Sequence, residues 1–171
     1  MYFTRMDSPV GALTLVSNGS ALIGLYMNEH KHGPAPEGWV EDAEVAPLPE
    51  TQRQLQEYFD GTRTTFDVPL AAQGTEFQQR VWKALCDIPW GETISYGELA
   101  RRIGDPGASR AVGMANGRNP VSIIVPCHRV IGANGKLTGY GGGMERKAFL
   151  IQHEKREAVG YISNLFPFDP K

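Results

Sequence analysis

Residues 123–131 read Ile123-Ile124-Val125-Pro126-Cys127-His128-Arg129-Val130-Ile131. A thiol and an imidazole stand side by side at the end of an apolar run. Val121 to Val125 is the most hydrophobic segment of the second half, and runs of this length are usually buried strands or core segments. Pro126 stops the run, so a strand over Val121–Val125 is expected to end at the cysteine. That places Cys127 at a core edge, walled on one side and reachable from the other. Neighbouring residues of a strand point to opposite faces. A working Cys127–His128 pair therefore needs a turn or a bridging water. Two readings stand for Cys127: a buried structural cysteine, or a nucleophile activated by a base.

Working outward, 171 residues allow one ordinary domain or two small ones, with 41% apolar and 21% charged residues typical of a globular protein. No run reaches the roughly 18 apolar residues of a membrane helix. The start, Met1 to Asp7, lacks the pattern of a secretion signal. Cys86 and Cys127 are the two cysteines, and neither belongs to a close metal-binding pair. These features predict a reduced, cytoplasmic setting without a membrane span. Charge is unevenly spread. Residues 1–72 carry a net −6, residues 73–157 a net +4 and residues 158–171 none, within a total of −2. The middle segment suits a polyanion and the first does not.

The predicted organisation is α+β: a small sheet-plus-helix domain over 1–72, a mainly helical domain over 73–157, and a tail over 158–171. Leu13–Val16 and Leu22–Tyr26 read as strands around an Asn18-Gly19 turn. His30 to Pro49 reads as a surface loop, with His30 and His32 as solvated histidines. Thr51–Phe59 is a predicted helix ended by Gly61, and Phe66–Leu70 a short strand. Thr75-Glu76-Phe77-Gln78 is a capping box. The helix it opens carries Phe77, Val81, Trp82 and Leu85 on one face, with Cys86 expected in the core. Ser95-Tyr96-Gly97-Glu98 reads as a second capping box, starting a helix with Leu99 and Ile103. After the turn Gly104-Asp105-Pro106-Gly107, a third helix spans about 108–117. Helix, short glycine turn, helix is the helix-turn-helix pattern. Its last helix is nearly bare, which serves either close packing inside the protein or close approach to a nucleic acid. Gly132-Ala133-Asn134-Gly135-Lys136 reads as a turn, Gly139–Gly143 as a glycine loop around Tyr140, and Met144–Glu157 as the final helix, with Ala148, Phe149 and Ile151 apolar.

Pro126-Cys127-His128-Arg129-Val130 resembles the active-site signature of the O6-alkylguanine-DNA alkyltransferases. Phe77-Gln78-Gln79-Arg80-Val81-Trp82, Ile88-Pro89-Trp90-Gly91-Glu92-Thr93, Ser95-Tyr96-Gly97, Arg110-Ala111-Val112-Gly113, Asn119-Pro120 and Gly139-Tyr140-Gly141-Gly142-Gly143 are similar to further blocks of that family, in its order. The likeness covers roughly Thr75 to Glu157. Over the first domain it is looser, through Ser8-Pro9-Val10-Gly11.

The resemblance implies single-turnover transfer of an alkyl group from O6 of guanine, and from O4 of thymine, in double-stranded DNA to Cys127. It implies no cofactor, no metal and a monomer. His128 is implied as base through a water, Glu154 as its carboxylate partner and Asn119 as a brace. Tyr96 is implied as donor to N3 of the flipped base. The helix bearing Arg110 is implied to lie in the minor groove, with Arg110 filling the gap in the stack. Positions Ser95, Ser109, Ala111 and Gly113 are implied to face DNA. Val130, Tyr140, Gly141 and Gly142 are implied to line the base pocket. Gly141 stands where many relatives have serine, which leaves a backbone N–H there and no hydroxyl. Two alternatives remain: a Cys–His hydrolase with ordinary turnover, and a non-catalytic damage sensor of the same fold.

Overall fold

The structure is a computed structural model that describes residues 1–27, 37–135 and 143–158, apart from the side chains of residues 157 and 158. His30, His32, Lys136, most of the glycine loop and the tail lie outside the described residues. The chain forms two compact units. The first is Met1–Gln73 with Pro120–Ser122, and the second is Gly74–Asn119 with Ile123–Lys171.

In the first unit, β1 (Tyr2–Met6), β2 (Leu13–Ser17), β3 (Leu22–Met27) and β4 (Val40–Glu41) make one sheet in the order β3-β2-β1-β4. β1/β2 and β2/β3 are antiparallel and β1/β4 is parallel. The β2–β3 connection is Asn18-Gly19-Ser20-Ala21 and not a two-residue turn. Asn18 Oδ1 accepts from the N–H groups of Ser20 and Ala21, and Gly19 takes φ 105°. That conformation strains any residue with a Cβ. β1 and β4 were not expected, and only Leu70 of the predicted Phe66–Leu70 strand pairs, in one bridge to Leu22. The helix α1 (Leu48–Phe59) starts three residues earlier than predicted, with proline in its first turn, where the missing N–H costs nothing. It packs on β1 and β2. Leu13, Leu15, Leu22, Leu25, Leu48 and Leu55 are fully buried, each contributing about 1.5–3 kcal/mol at most.

The second unit opens with α2 (Glu76–Leu85). The Thr75–Gln78 capping box is present in both directions, at 3.1 and 2.9 Å. Val81, Trp82 and Leu85 are buried and Phe77 is half-buried. Cys86 is not in the core: it caps the end of α2, where the chain leaves the helix, and is exposed. β5 (Ile94–Ser95) then leads into α3 (Tyr96–Arg102). Only half of the second capping box forms. Ser95 Oγ accepts from the Glu98 N–H at 3.0 Å, while the Glu98 carboxylate turns to Arg101 and Arg102 at 2.9 Å each. A tight turn with Gly104 at φ 85° joins α3 to α4 (Ser109–Gly117). α2, α3 and α4 pack together, and Trp82 Nε1 donates to the Ala115 carbonyl at 2.8 Å.

The apolar run is not a strand. Val121 makes a single bridge to Leu25 inside the first unit, with Leu25 N–H donating to Pro120 and Ser122 N–H to Leu25. Ile123 then enters the left-handed region at φ 71°, which is unusual for a β-branched residue. From there Ile124 and Val125 turn, buried, into one 3₁₀ turn over Cys127–Arg129. β6 (Val130–Ile131) follows and pairs with β5 in parallel, Ile94 with Val130 and Ser95 with Ile131. Gly135 N–H closes the next turn onto Gly132 at 2.9 Å. The last helix, α5 (Met144–Ala158), buries Lys147, Leu150 and Glu154, while Ala148, Phe149 and Ile151 are only half-buried.

Candidate active site

The turn over Cys127–Arg129 supplies the bend that a working Cys-His dipeptide needs. Cys127, His128 and Arg129 are all buried, at 5%, 0% and 7% exposure. Because the backbone curls here, His128 and Arg129 both reach Glu154 on α5, while the Cys127 sulfur meets Asn119 and Lys147. β6 and β5 then clamp the turn beside the start of α3, so Tyr96 follows directly on a residue paired to Ile131.

His128 Nε2 lies 2.6 Å from Glu154 Oε2. A carboxylate only accepts, so Nε2 carries the proton and Nδ1 is left as the acceptor. Nδ1 is buried and has no hydrogen-bond partner among the described residues. Glu154 is 1% exposed. Burial alone raises its pKa, but His128 and the Arg129 guanidinium outweigh that and hold it at about 2. Arg129 grips the same carboxylate with Nε at 2.7 Å and Nη2 at 3.1 Å, and Nη1 donates to the Ile88 carbonyl at 2.6 Å. A buried arginine of this kind needs all of its partners, because an unpaired charge in the interior is costly.

Around the sulfur, burial pushes the Cys127 thiol up to about 11, against the opposing effects of a hydrogen bond from Asn119 and the charge of Lys147. Asn119 is itself held, donating Nδ2 to the Val125 carbonyl at 2.8 Å. Asn116 Nδ2 donates to the Cys127 carbonyl at 3.3 Å, and that carbonyl also accepts from the Val130 N–H. Lys147 is fully buried. Burial pulls its ammonium down to about 8, with Cys127 acting in the opposite sense. Its Nζ stands 5.9 Å from the centre of the Tyr96 ring, within cation–π range.

The structure thus brings together Cys127, His128, Glu154, Asn119 and Tyr96, with Val130 fully buried beside them. Ser109, Arg110 and Ala111 are exposed on α4, and Gly113 is half-buried. A Cβ at Gly113 would meet only the Tyr96 ring, at 3.7 Å, so interior packing does not demand glycine there. Ser95 is half-buried with its hydroxyl committed as the α3 cap. Tyr140, Gly141 and Gly142 lie outside the described residues. Lys147, Arg129 and Asn116 were missed as separate site residues by the sequence reading. For Lys147 one signal existed: it stands seven residues before Glu154, two turns away on the same side of a helix.

A buried thiol with an imidazole–carboxylate pair behind it, set in a unit with a helix-turn-helix, defines a class of cysteine-dependent proteins suited to DNA. Comparison with known proteins is more specific. Residues 1–72 match the model of the 6-O-methylguanine DNA methyltransferase ribonuclease-like domain, and residues 76–156 that of the DNA binding domain of the same family. The chain belongs to the 6-O-methylguanine DNA methyltransferase family. It is 55% identical to a methylated-DNA–protein-cysteine methyltransferase of Mycobacterium tuberculosis over 92% of this chain and 94% of the relative. It is 52% identical to one of Methanosarcina acetivorans over 90% of this chain and 98% of the relative. A crystal structure of the Mycobacterium tuberculosis OGT in complex with DNA aligns with a TM-score of 0.86 at 52% identity, covering 96% of this chain and 98% of that one.

Proposed function

We propose that this protein repairs DNA by direct reversal, moving an alkyl group from O6 of guanine to Cys127. The observation that carries the reading is the buried Cys127 thiol held between Asn119 and Lys147 with the His128–Glu154 pair behind it. Family membership at 55% identity supports the same chemistry.

A thiol held up at about 11 does not ionise unaided at neutral pH. The thiol proton passes to His128 Nδ1 through one water, and Glu154 stabilises the imidazolium that forms. Lys147 then faces a thiolate, which its positive charge favours. The sulfur lone pair attacks the saturated alkyl carbon, the S–C bond forms, and the C–O6 bond breaks with its electron pair staying on guanine. Tyr96 donates a hydrogen bond to N3 of the departing base, which spreads the charge of the guanine anion until it takes its N1 proton from water. O6 is stacked and paired inside a duplex, so the nucleotide is flipped out first, and Arg110 on the exposed face of α4 fills the gap. Val130 offers its carbonyl to the exocyclic amine. The Cys127 carbonyl already accepts from Asn116 and Val130 N–H, so less of that contact falls on it.

The product is a thioether, which water does not cleave, so each molecule acts once. Residues 73–157 act as the catalytic and DNA-binding part and residues 1–72 as its support. Among the described residues no helix is long and apolar enough to cross a membrane. We place the protein in the cytoplasm, where a free thiol persists.

The test is intact mass after mixing with a duplex carrying O6-methylguanine, followed by peptide mapping. A gain of one methyl group at Cys127, saturating at one equivalent, is expected. Binding without any mass gain would overturn the transfer in favour of a damage sensor.

A further inference from the structure

We propose that Met114 is a DNA-contacting residue, an apolar wedge whose thioether enters the minor groove between Arg110 on α4 and Arg118, which caps that helix. This rests on the reading of α4 as the helix that meets DNA.

The orientation of α4 about its own axis is set from inside. Val112, Ala115 and Asn116 are buried, and the Ala115 carbonyl accepts from the Trp82 indole. The opposite side therefore faces out, and it carries Arg110, Ala111, Met114 and Arg118, all exposed. Met114 is 66% exposed, more than Met1 at 53%, Val40 at 54%, Leu70 at 39% or Met144 at 41%, the other exposed large apolar residues described. One exposed apolar side chain is ordinary on a protein surface. The setting of Met114 is what distinguishes it. Arg110 and Met114 stand four apart on adjacent turns of α4, and Arg118 follows four residues later as its C-cap. Neither arginine makes an ion pair among the described residues, unlike Arg101 and Arg102, which share Glu98.

The small neighbours of Met114 on this side are Ala111 and Gly117, three residues away in each direction. With so little bulk around it, Met114 is the one long apolar side chain on this side, set between two exposed arginines. The minor groove of B-form DNA is about 6 Å wide, narrower than a helix of about 10 Å. Such a helix meets the groove first through whatever projects from it. Proteins that bind there use apolar wedges, methionine among them. Methionine is unbranched and polarizable, which fits the uneven surface of sugars and base edges. The flanking cations select a polyanion as the occupant. Met114 thus supplies the apolar part of a contact whose charged part comes from Arg110 and Arg118.

The experiment measures affinity for an undamaged duplex by fluorescence anisotropy over a range of salt, for wild type, Met114→Ala, Met114→Leu, Arg110→Ala and Arg118→Ala. Alanine is the better helix former, and an unchanged thermal midpoint confirms that the fold is kept. Met114→Ala is expected to weaken binding about three- to tenfold with the salt slope unchanged, because an apolar contact releases no counterions. Met114→Leu is expected to restore most of the affinity. The arginine variants are expected to weaken binding and to flatten the slope. Wild-type affinity in Met114→Ala, with both arginine variants weakened, overturns the wedge and leaves the α4 reading standing. Wild-type affinity in all three alanine variants overturns the α4 reading, and the wedge with it.

Discussion

Lys147 and Glu154 lie seven residues apart on α5, and both turn inward, one interacting with the Cys127 sulfur and the other bound to His128. One helix face therefore delivers a cation to the nucleophile and a carboxylate to its base. Leu150 between them is the apolar residue of that face, fully buried. Placing two ionisable groups on the buried side of a helix costs stability. Here the cost falls on the two groups that the proposed chemistry uses.

Lys147→Met is predicted to slow single-turnover transfer about ten- to a hundredfold, the worth of one contact with a charged group. DNA affinity stays as in wild type, because Lys147 is fully buried. Rapid-quench mass spectrometry of Cys127, beside anisotropy on the same duplex, separates the two. Equal losses in both would make Lys147 a packing residue.

Acid sensitivity follows from Glu154. Its carboxyl is held at about 2 in the fold, below an unfolded value of about 4.3. A depressed carboxyl contributes stability that is fully present above the unfolded value and is lost as the pH falls from there through about 2. Urea midpoints of wild type are predicted to drop across this window, and those of Glu154→Gln to drop less. At neutral pH the variant is less stable by about 3 kcal/mol, since Arg129 loses its charged partner. Parallel curves for the two proteins would remove Glu154 from the linkage.

Thiol chemistry separates the two cysteines. Cys86 is exposed and Cys127 buried. A limiting dose of a neutral maleimide is predicted to label Cys86 first, because burial holds the Cys127 thiol up at about 11. Protein labelled only at Cys86 keeps full transfer, as does Cys86→Ala. Cys127→Ala loses transfer and keeps DNA binding. Residual methylation in Cys127→Ala would refute the assignment.

Ile123 combines a left-handed backbone at φ 71° with a side chain 1% exposed. Truncating it to glycine loses buried volume worth about 2–5 kcal/mol and relieves about 1–2 kcal/mol of backbone strain. A net destabilisation of about 1–3 kcal/mol is expected for Ile123→Gly. Ile123→Ala keeps the strain, so alanine is predicted to cost at least as much as glycine, the reverse of the usual order. Chemical denaturation of the two variants reads the ranking directly.

Where local chemistry decides an element, its residues announced it. Thr75 and Gln78 cap α2 as their spacing predicts, and the turn at Gly104 separates two helices as its glycines predict. The Pro126-Cys127-His128-Arg129-Val130 signature pointed to the site through resemblance. Other expectations failed where a residue had alternatives of similar local merit. Glu98 chose Arg101 and Arg102 over the α3 cap. Cys86 fell at a helix end and not in the core. The apolar run Val121–Val125 turned at Ile123 instead of extending.

By itself, then, the sequence determined what short-range hydrogen bonds and side-chain periodicity decide: the α+β class, the starts of α2 and α3, the glycine turn and the candidate nucleophile. Tertiary structure decided which side of each helix turned inward. Lys147 faces the thiol because Glu154, on the same helix, is anchored by Arg129, and Arg129 is anchored in turn by the Ile88 carbonyl 41 residues earlier. Contacts that distant leave no local pattern, since their energy arises only once the separate elements have met.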